Sequence, residues 1–203
     1  QPPQGPKIFF NMLQWILRKI VGSKNQRELR RIWPVVQQIN KLEEEYQKQP
    51  EGFLQEKTAK WKADLAGIKD YTEREKYLNT ILPEAFAAVR EAVGPAKRIA
   101  DLFAGCGTFT LPLAKDAEVW AVEGDSQMMA AMDKGWRMAQ GLKTVKHTTR
   151  DLYRRPILPD EFLKYDAVVM DPPRAGAEAQ TAEVIRSGIK RIAYVSCNPV
   201  TFA

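Results

Sequence analysis

Asp101-Leu102-Phe103-Ala104-Gly105-Cys106-Gly107-Thr108-Phe109-Thr110 is the stretch on which the fold turns, because it takes a short apolar run, Arg98 to Leu102, through two closely spaced glycines into a helix. A glycine-rich turn between a strand and a helix is where doubly wound folds bind nucleotides. Glycine lets the backbone approach a ligand closely, and the helix that follows offers free N–H groups at its start.

Further β-rich runs continue outward from this turn: Glu118 to Glu123, Val145 to His147, Ala167 to Met170 and Arg191 to Val195, each separated by a helix-length segment. Strands alternating with helices require right-handed crossovers and predict a parallel, doubly wound α/β sheet from residue 95 onward. The second run ends in Ala121-Val122-Glu123-Gly124-Asp125, which places a carboxylate, Glu123, at the edge of strand two, where it can accept both ribose hydroxyls of an adenosine. No Gly-Lys-Ser/Thr follows the glycines, so a triphosphate loop is excluded and a nucleoside ligand fits better. After the third run, Asp151 is a candidate for the adenine amino group or for a helix cap. The fourth run ends in Asp171-Pro172-Pro173-Arg174-Ala175-Gly176, whose prolines stiffen the loop beyond the Asp171 carboxylate. The fifth ends in Ser196-Cys197-Asn198-Pro199, which puts Cys197 at the same sheet edge as Gly105, Glu123 and Asp171.

Before Gly94-Pro95 the pattern is helical. Leu13, Ile16, Leu17 and Ile20 make one stripe, Leu29, Ile32, Val36 and Ile39 a second, and Leu54, Trp61 and Leu65 a third. Ser23 or Asn25 can cap the second helix, and Pro34 predicts a kink within it. Gln49-Pro50-Glu51-Gly52 and the stretch from Gly67 to Thr72 read as breaks, and Pro83 as the first position of a helix running to Val93. Residues 1–11 read as a disordered leader, 12–94 as a helical segment and 95–203 as the α/β domain.

The 203 residues, 44% hydrophobic and 28% charged, suit a soluble globular chain, and the net charge of +6 favours a polyanionic partner. Two separated cysteines and one histidine speak against a structural zinc site, so no metal is expected. His147 is expected on a half-exposed strand, and Cys106 is expected to pack as a small residue of the turn. The apolar stretch from Ile8 to Leu17 is broken by Asn11 and Gln14, and its positive charges, Arg18, Lys19 and Lys24, follow it, against both a membrane span and an export signal. A cytoplasmic protein is the expectation.

The glycine turn, Val122-Glu123-Gly124, Asp171-Pro172-Pro173-Arg174-Ala175-Gly176 and Ser196-Cys197-Asn198-Pro199 together resemble the RNA 5-methyluridine (uracil-C5) methyltransferases. The resemblance covers about Arg98 to Ala203. It implies a Rossmann-like S-adenosylmethionine-dependent methyltransferase sheet, partly truncated, acting on a uracil of tRNA or rRNA. The implied cofactor site comprises Asp101, Phe103, Gly105, Gly107, Thr108, Glu123, Asp151 and Asp171. Cys197 is implied as the nucleophile, with Asp171 beside the reaction centre; on its own, Cys197 would read as a buried core thiol. The thiol chemistry follows from the substrate: uracil C5 is a poor nucleophile until a thiolate adds to C6. In this family a downstream glutamate removes the C5 proton, and since the chain ends at Ala203 the expectation is addition to uracil without complete turnover.

Ile20-Val21-Gly22-Ser23-Lys24-Asn25-Gln26-Arg27-Glu28-Leu29-Arg30-Arg31, Ile39-Asn40, Glu56-Lys57-Thr58-Ala59 and Leu82 to Ala92 resemble the extreme N-terminus of the SecA preprotein translocase ATPase. That family's Walker loop has no counterpart here, so ATPase activity is not carried over. What this second resemblance implies is a basic amphipathic helix able to make a peripheral membrane or translocon contact through residues 12–31. The alternatives to an enzyme are therefore a helical docking module and a chimera without selected function.

Overall fold

The computed structural model describes residues 24–196. The expected leader, the stripe Leu13, Ile16, Leu17 and Ile20, the cap Ser23, the first part of the 12–31 segment and Cys197 lie outside the described residues. Asn25 lies inside the first described helix and therefore does not cap it.

Three helices open the chain: α1 (Lys24–Tyr46), α2 (Phe53–Gly67) and α3 (Tyr71–Val93). Gly52, at φ 94°, supplies the left-handed residue that ends the turn before α2. Asp70 caps α3 by accepting the backbone N–H of Glu73 at 2.9 Å. The position expected for Pro83 is corrected by this cap: α3 starts twelve residues earlier, at Tyr71, and Pro83 sits buried in mid-helix. The Asp70 cap and the packing of the helix on both sides outweigh the donor that proline removes. Pro34 likewise lies inside α1. Ile32 of the expected second stripe is 50% exposed and does not pack, whereas Val36 and Ile39 are half-buried.

Arg90 ties α3 to α1, donating to Glu43 at 2.8 Å and to Asn40 at 3.2 Å. Lys57 of α2 pairs with Glu84 of α3 at 2.8 Å and lies 5.4 to 5.8 Å from the ring centroids of Tyr46, Phe53 and Trp61. Of these residues Tyr46 is buried, its ring covered in part by the Lys57 stem and by Phe53.

The sheet contains β1 (Arg98–Leu102), β2 (Glu118–Glu123), β3 (Val145–Thr149), β4 (Ala167–Met170) and β5 (Arg191–Tyr194), all parallel and in the order β3-β2-β1-β4-β5. Composition explains the order. Ala-Val-Val-Met of β4 is buried on both faces and belongs at the centre, while Val-Lys-His-Thr-Thr of β3 is mostly exposed and suits an edge. On one face, Ile99, Val119, Ala121, Val169 and Ala193 pack under α3, the one-turn helix α4 (Thr110–Leu113) and α5 (Ser126–Met138). On the other, Ala100, Leu102, Val122, Val168 and Met170 pack with Leu152, Ile157, the short 3-10 helix Pro159–Phe162 and α6 (Glu178–Arg186). The change of sequence pattern at Gly94 is not a break in packing: Phe86, Val89 and Val93 of α3 join the first of these cores, and the Phe86 ring packs tilted against Phe109 with centroids 5.1 Å apart. Among the described residues no helix is long and apolar enough to cross a membrane.

Candidate functional site

The chain reverses its direction of travel across the sheet between β1 and β4, and in such a fold the crevice at the carboxyl ends of the strands lies at that reversal. The register aligns the residues of this edge. Leu102 is level with Val122 and Met170, so the next residues, Phe103, Glu123 and Asp171, leave three adjacent strands in one row. Glu123 is itself paired with Thr149, which brings Arg150 and Asp151 to the end of the row. The structure thus gathers Asp101, Phe103, Gly105, Glu123, Asp151 and Asp171 at one edge.

Glu123 holds the turn in shape. One carboxylate oxygen accepts the Gly105 N–H and the other the Asp125 N–H, each at 2.9 Å. The two glycines serve different ends. A Cβ on Gly105, at φ 56°, would meet nothing within 4 Å, so this residue faces open space. A Cβ on Gly107, at φ 94°, would lie 2.6 Å from Cγ of Met132, so packing against α5 already demands glycine there. Phe103 adopts φ 60°, a conformation that costs a non-glycine residue on the order of 1 kcal/mol or more and is concentrated at functional sites. Thr108 is exposed. Cys106 is exposed as well, which corrects the expected packing role: the turn carries its side chain outward, because the buried positions beside it are taken by Ala104 and Gly107.

Asp101 points to the face covered by α4 and is 1% exposed. Its Oδ2 accepts the Thr110 hydroxyl at 2.5 Å, while Oδ1 is buried with no partner. Burial pushes its pKa up to about 7; the Thr110 hydrogen bond opposes the shift, and the nearby charges of Asp171 and Glu123 add to it. Burial likewise raises the pKa of Asp171. Asp151 caps no helix, since the residues after it form a turn; its Oδ1 accepts the N–H groups of Tyr153 at 3.0 Å and Arg154 at 3.2 Å within that turn.

Tyr153 was not singled out by spacing, yet it links three loops. Its ring lies 5.6 Å from Phe103 and its hydroxyl donates to the Gly176 carbonyl at 3.0 Å. Thr110 was missed too. The signal available for it was its place as the first residue of the helix leaving the glycine turn. His147 is exposed on β3 with Nε2 3.1 Å from Asp133 Oδ1. Among the described residues no group of three or more His, Cys, Asp or Glu side chains could hold a metal ion. Cys197 lies outside the described residues, three positions past the end of β5.

A tRNA (Uracil-5-)-methyltransferase family model matches residues 85–203, and a SecA DEAD-like domain model matches residues 17–132. The matches overlap from the second half of α3 to α5. An uncharacterized RNA methyltransferase of Rhizobium meliloti (strain 1021) is 60% identical over 111 residues, which are 55% of this chain and 27% of that protein. A 23S rRNA (uracil(1939)-C(5))-methyltransferase of Hahella chejuensis is 38% identical over 144 residues, covering 66% of this chain and 31% of its own. The Pyrococcus abyssi tRNA (uracil-54, C5)-methyltransferase, solved in complex with S-adenosyl-L-homocysteine, is 25% identical over 59% of this chain and 30% of that one, with a TM-score of 0.49. The chain spans less than a third of the length of these curated relatives.

Proposed function

Because the chain belongs to the tRNA (uracil-5-)-methyltransferase family through residues 85–203 and to the SecA DEAD-like domain family through residues 17–132, we propose that its α/β half is an S-adenosylmethionine-dependent module for methylating an RNA uracil at C5. The observation that carries this reading is the acidic ring around the glycine turn: Glu123, Asp151 and Asp171 stand at the ends of neighbouring strands, with the buried Asp101 behind them. Such a ring repels phosphates and favours a ligand with cationic centres and neutral hydroxyls. S-adenosylmethionine is of that kind, and when bound it supplies a methyl group on a positively charged sulfur.

The residues present fit it. The partnerless buried Oδ1 of Asp101 and the open space before Gly105 are both what a bound polar ligand would fill. Each Glu123 oxygen already accepts one backbone N–H and keeps a lone pair for a ribose hydroxyl. In this reading Phe103 and Thr108 line the pocket, Gly105 and Gly107 shape it, Asp151 faces the adenine amino group, and Asp171 stands beside the reaction centre. Cys197 is proposed as the nucleophile: its thiolate adds to uracil C6, C5 would then take the methyl group from the sulfonium with release of the neutral thioether, and the thiolate leaves once the C5 proton has gone to a base.

Titration calorimetry with S-adenosylmethionine, repeated on Glu123→Ala, tests the pocket. The expected result is saturable binding that falls at least about tenfold in the variant, since a charged acceptor is lost. A folded wild-type protein that gives no binding heat overturns the reading.

A second reading rests on α1, where Ile32 (50%), Trp33 (59%) and Val35 (39%) are exposed behind Arg30 and Arg31. This supports a docking role for the helical segment at a membrane or translocation machinery. Co-sedimentation with anionic vesicles that is lost in Trp33→Ser is its expected outcome, and no co-sedimentation of the wild type rejects it.

A further inference from the structure

The residues just beyond β3, Arg150 to Ile157, form a turn held by many hydrogen bonds. The Arg150 guanidinium binds Glu161 at 2.8 Å and also donates to the carbonyls of Arg155 and Pro156. Asp151 accepts the N–H groups of Tyr153 and Arg154 through Oδ1, and that of Arg155 through its carbonyl at 2.9 Å. The buried Gln180 amide holds both the N–H and the C=O of Ile157, at 2.7 and 3.1 Å. A turn anchored at so many points is preorganised, and it exports three consecutive side chains to solvent.

Those three are Tyr153, Arg154 and Arg155. Tyr153 is 50% exposed, yet its ring is fixed by Phe103 and by the hydroxyl bond to Gly176. The Arg154 side chain is 87% exposed and comes within 3.6 Å of Asp151, and Arg155 is exposed. A fixed aromatic face beside two solvent-exposed guanidinium groups is the chemistry that holds single-stranded nucleic acid: the ring stacks a base, and the cations take phosphates. Its place decides the partner, since the turn stands at the rim of the acidic crevice, where an RNA must pass to deliver a base.

We propose that Tyr153-Arg154-Arg155 is an RNA-docking turn, in which Tyr153 stacks a nucleotide neighbouring the target uracil and Arg154 and Arg155 bind the flanking phosphates. The proposal rests on the reading of the chain as an RNA methyltransferase module. The acidic ring repels the backbone from the crevice itself, so phosphates stay on the arginine side of Tyr153 while an uncharged base enters.

The test is fluorescence anisotropy of the full chain with a short uridine-containing single-stranded RNA over a salt series, beside calorimetry with S-adenosylhomocysteine. Arg154→Gln/Arg155→Gln should flatten the slope of log affinity against log salt by about 1.4, from about 0.7 per phosphate contact. Tyr153→Ala should weaken RNA binding about fivefold or more, and Tyr153→Phe, which keeps the ring, should not. Lys41→Gln/Lys48→Gln removes two exposed charges from the helical segment as a control. A control pair that lowers the slope as much as the arginine pair, a Tyr153→Ala protein that binds RNA like wild type, or a wild type without RNA binding each overturns the proposal. Arginine-dependent binding to anionic vesicles without RNA binding would assign the turn to a membrane instead and also overturns it. Cofactor binding without RNA binding refutes the docking turn alone, whereas arginine-dependent RNA binding without cofactor binding refutes the pocket alone.

Discussion

Asp101→Asn should remove most of the pH dependence of this protein's stability between pH 5 and 8. Asp101 is 1% exposed in β1, one oxygen bonded to Thr110 and the other partnerless, and its pKa is pushed up to about 7 from an ordinary 3.8. The native state therefore holds the proton more tightly than the unfolded chain does. Below the unfolded pKa both states are protonated and the full stability is present. As pH rises from about 4 toward 7, the unfolded carboxylate ionises freely while the buried one cannot, and stability is lost until the native group also ionises. Each unit of difference corresponds to about 1.4 kcal/mol, so the two units between pH 5 and the native pKa make the protein about 3 kcal/mol less stable at pH 8 than at pH 5 through this residue. That is a sizeable share of the 5–15 kcal/mol typical of a folded domain. Asparagine keeps an acceptor for Thr110 but has no proton to release. Urea unfolding of wild type and variant at both pH values reads the difference of differences, which cancels the smaller contributions of Glu43, Glu91 and Asp171, whose pKa values burial also raises. An Asp101→Asn protein whose stability falls between pH 5 and 8 as much as the wild type's would refute the reasoning.

Other perturbations probe the scaffold of the same edge. Gly107→Ala should cost about 2–3 kcal/mol in chemical unfolding, because its Cβ would lie 2.6 Å from Met132 in a backbone at φ 94°, whereas Gly105→Ala, with open space before it and only the strain of its φ of 56°, should cost about 1 kcal/mol and weaken cofactor binding as well. Gln180→Leu strands the N–H and C=O of Ile157 in the second core and should destabilise by about 3 kcal/mol, measured as a shift in urea midpoint at constant slope. Glu123→Ala should lose cofactor affinity while keeping its far-ultraviolet circular dichroism, since its carboxylate shapes a turn and not the core.

The family memberships reported above agree with motifs visible in single segments. A contiguous run such as Asp171-Pro172-Pro173-Arg174 carries its own chemistry wherever it folds, so it can be read without coordinates. The strands were legible for a related reason. β4 is apolar at every position because it is buried on both faces, and its limits agree residue for residue with those expected, while β3 runs two residues further than expected because its two threonines carry no apolar pattern. Helix limits were less legible at Pro83, where a proline reads locally as a start but tertiary packing carries the helix through it.

The alternation of strands and helices, and hence a parallel α/β sheet, is legible in the residue pattern alone, together with the placement of Gly105, Glu123, Asp151 and Asp171 at strand ends. Periodicity and chain direction are local properties, and they are enough to put those residues at one edge. What each does there depends on packing: Gly107 answers to Met132, Asp101 is clasped by Thr110 with its pKa pushed up to about 7, Cys106 faces solvent, and Tyr153 joins three loops. Each of these depends on atoms distant in the chain, and on a loss of water that no residue's own identity reveals, because burial and partners arise when the strands are brought side by side.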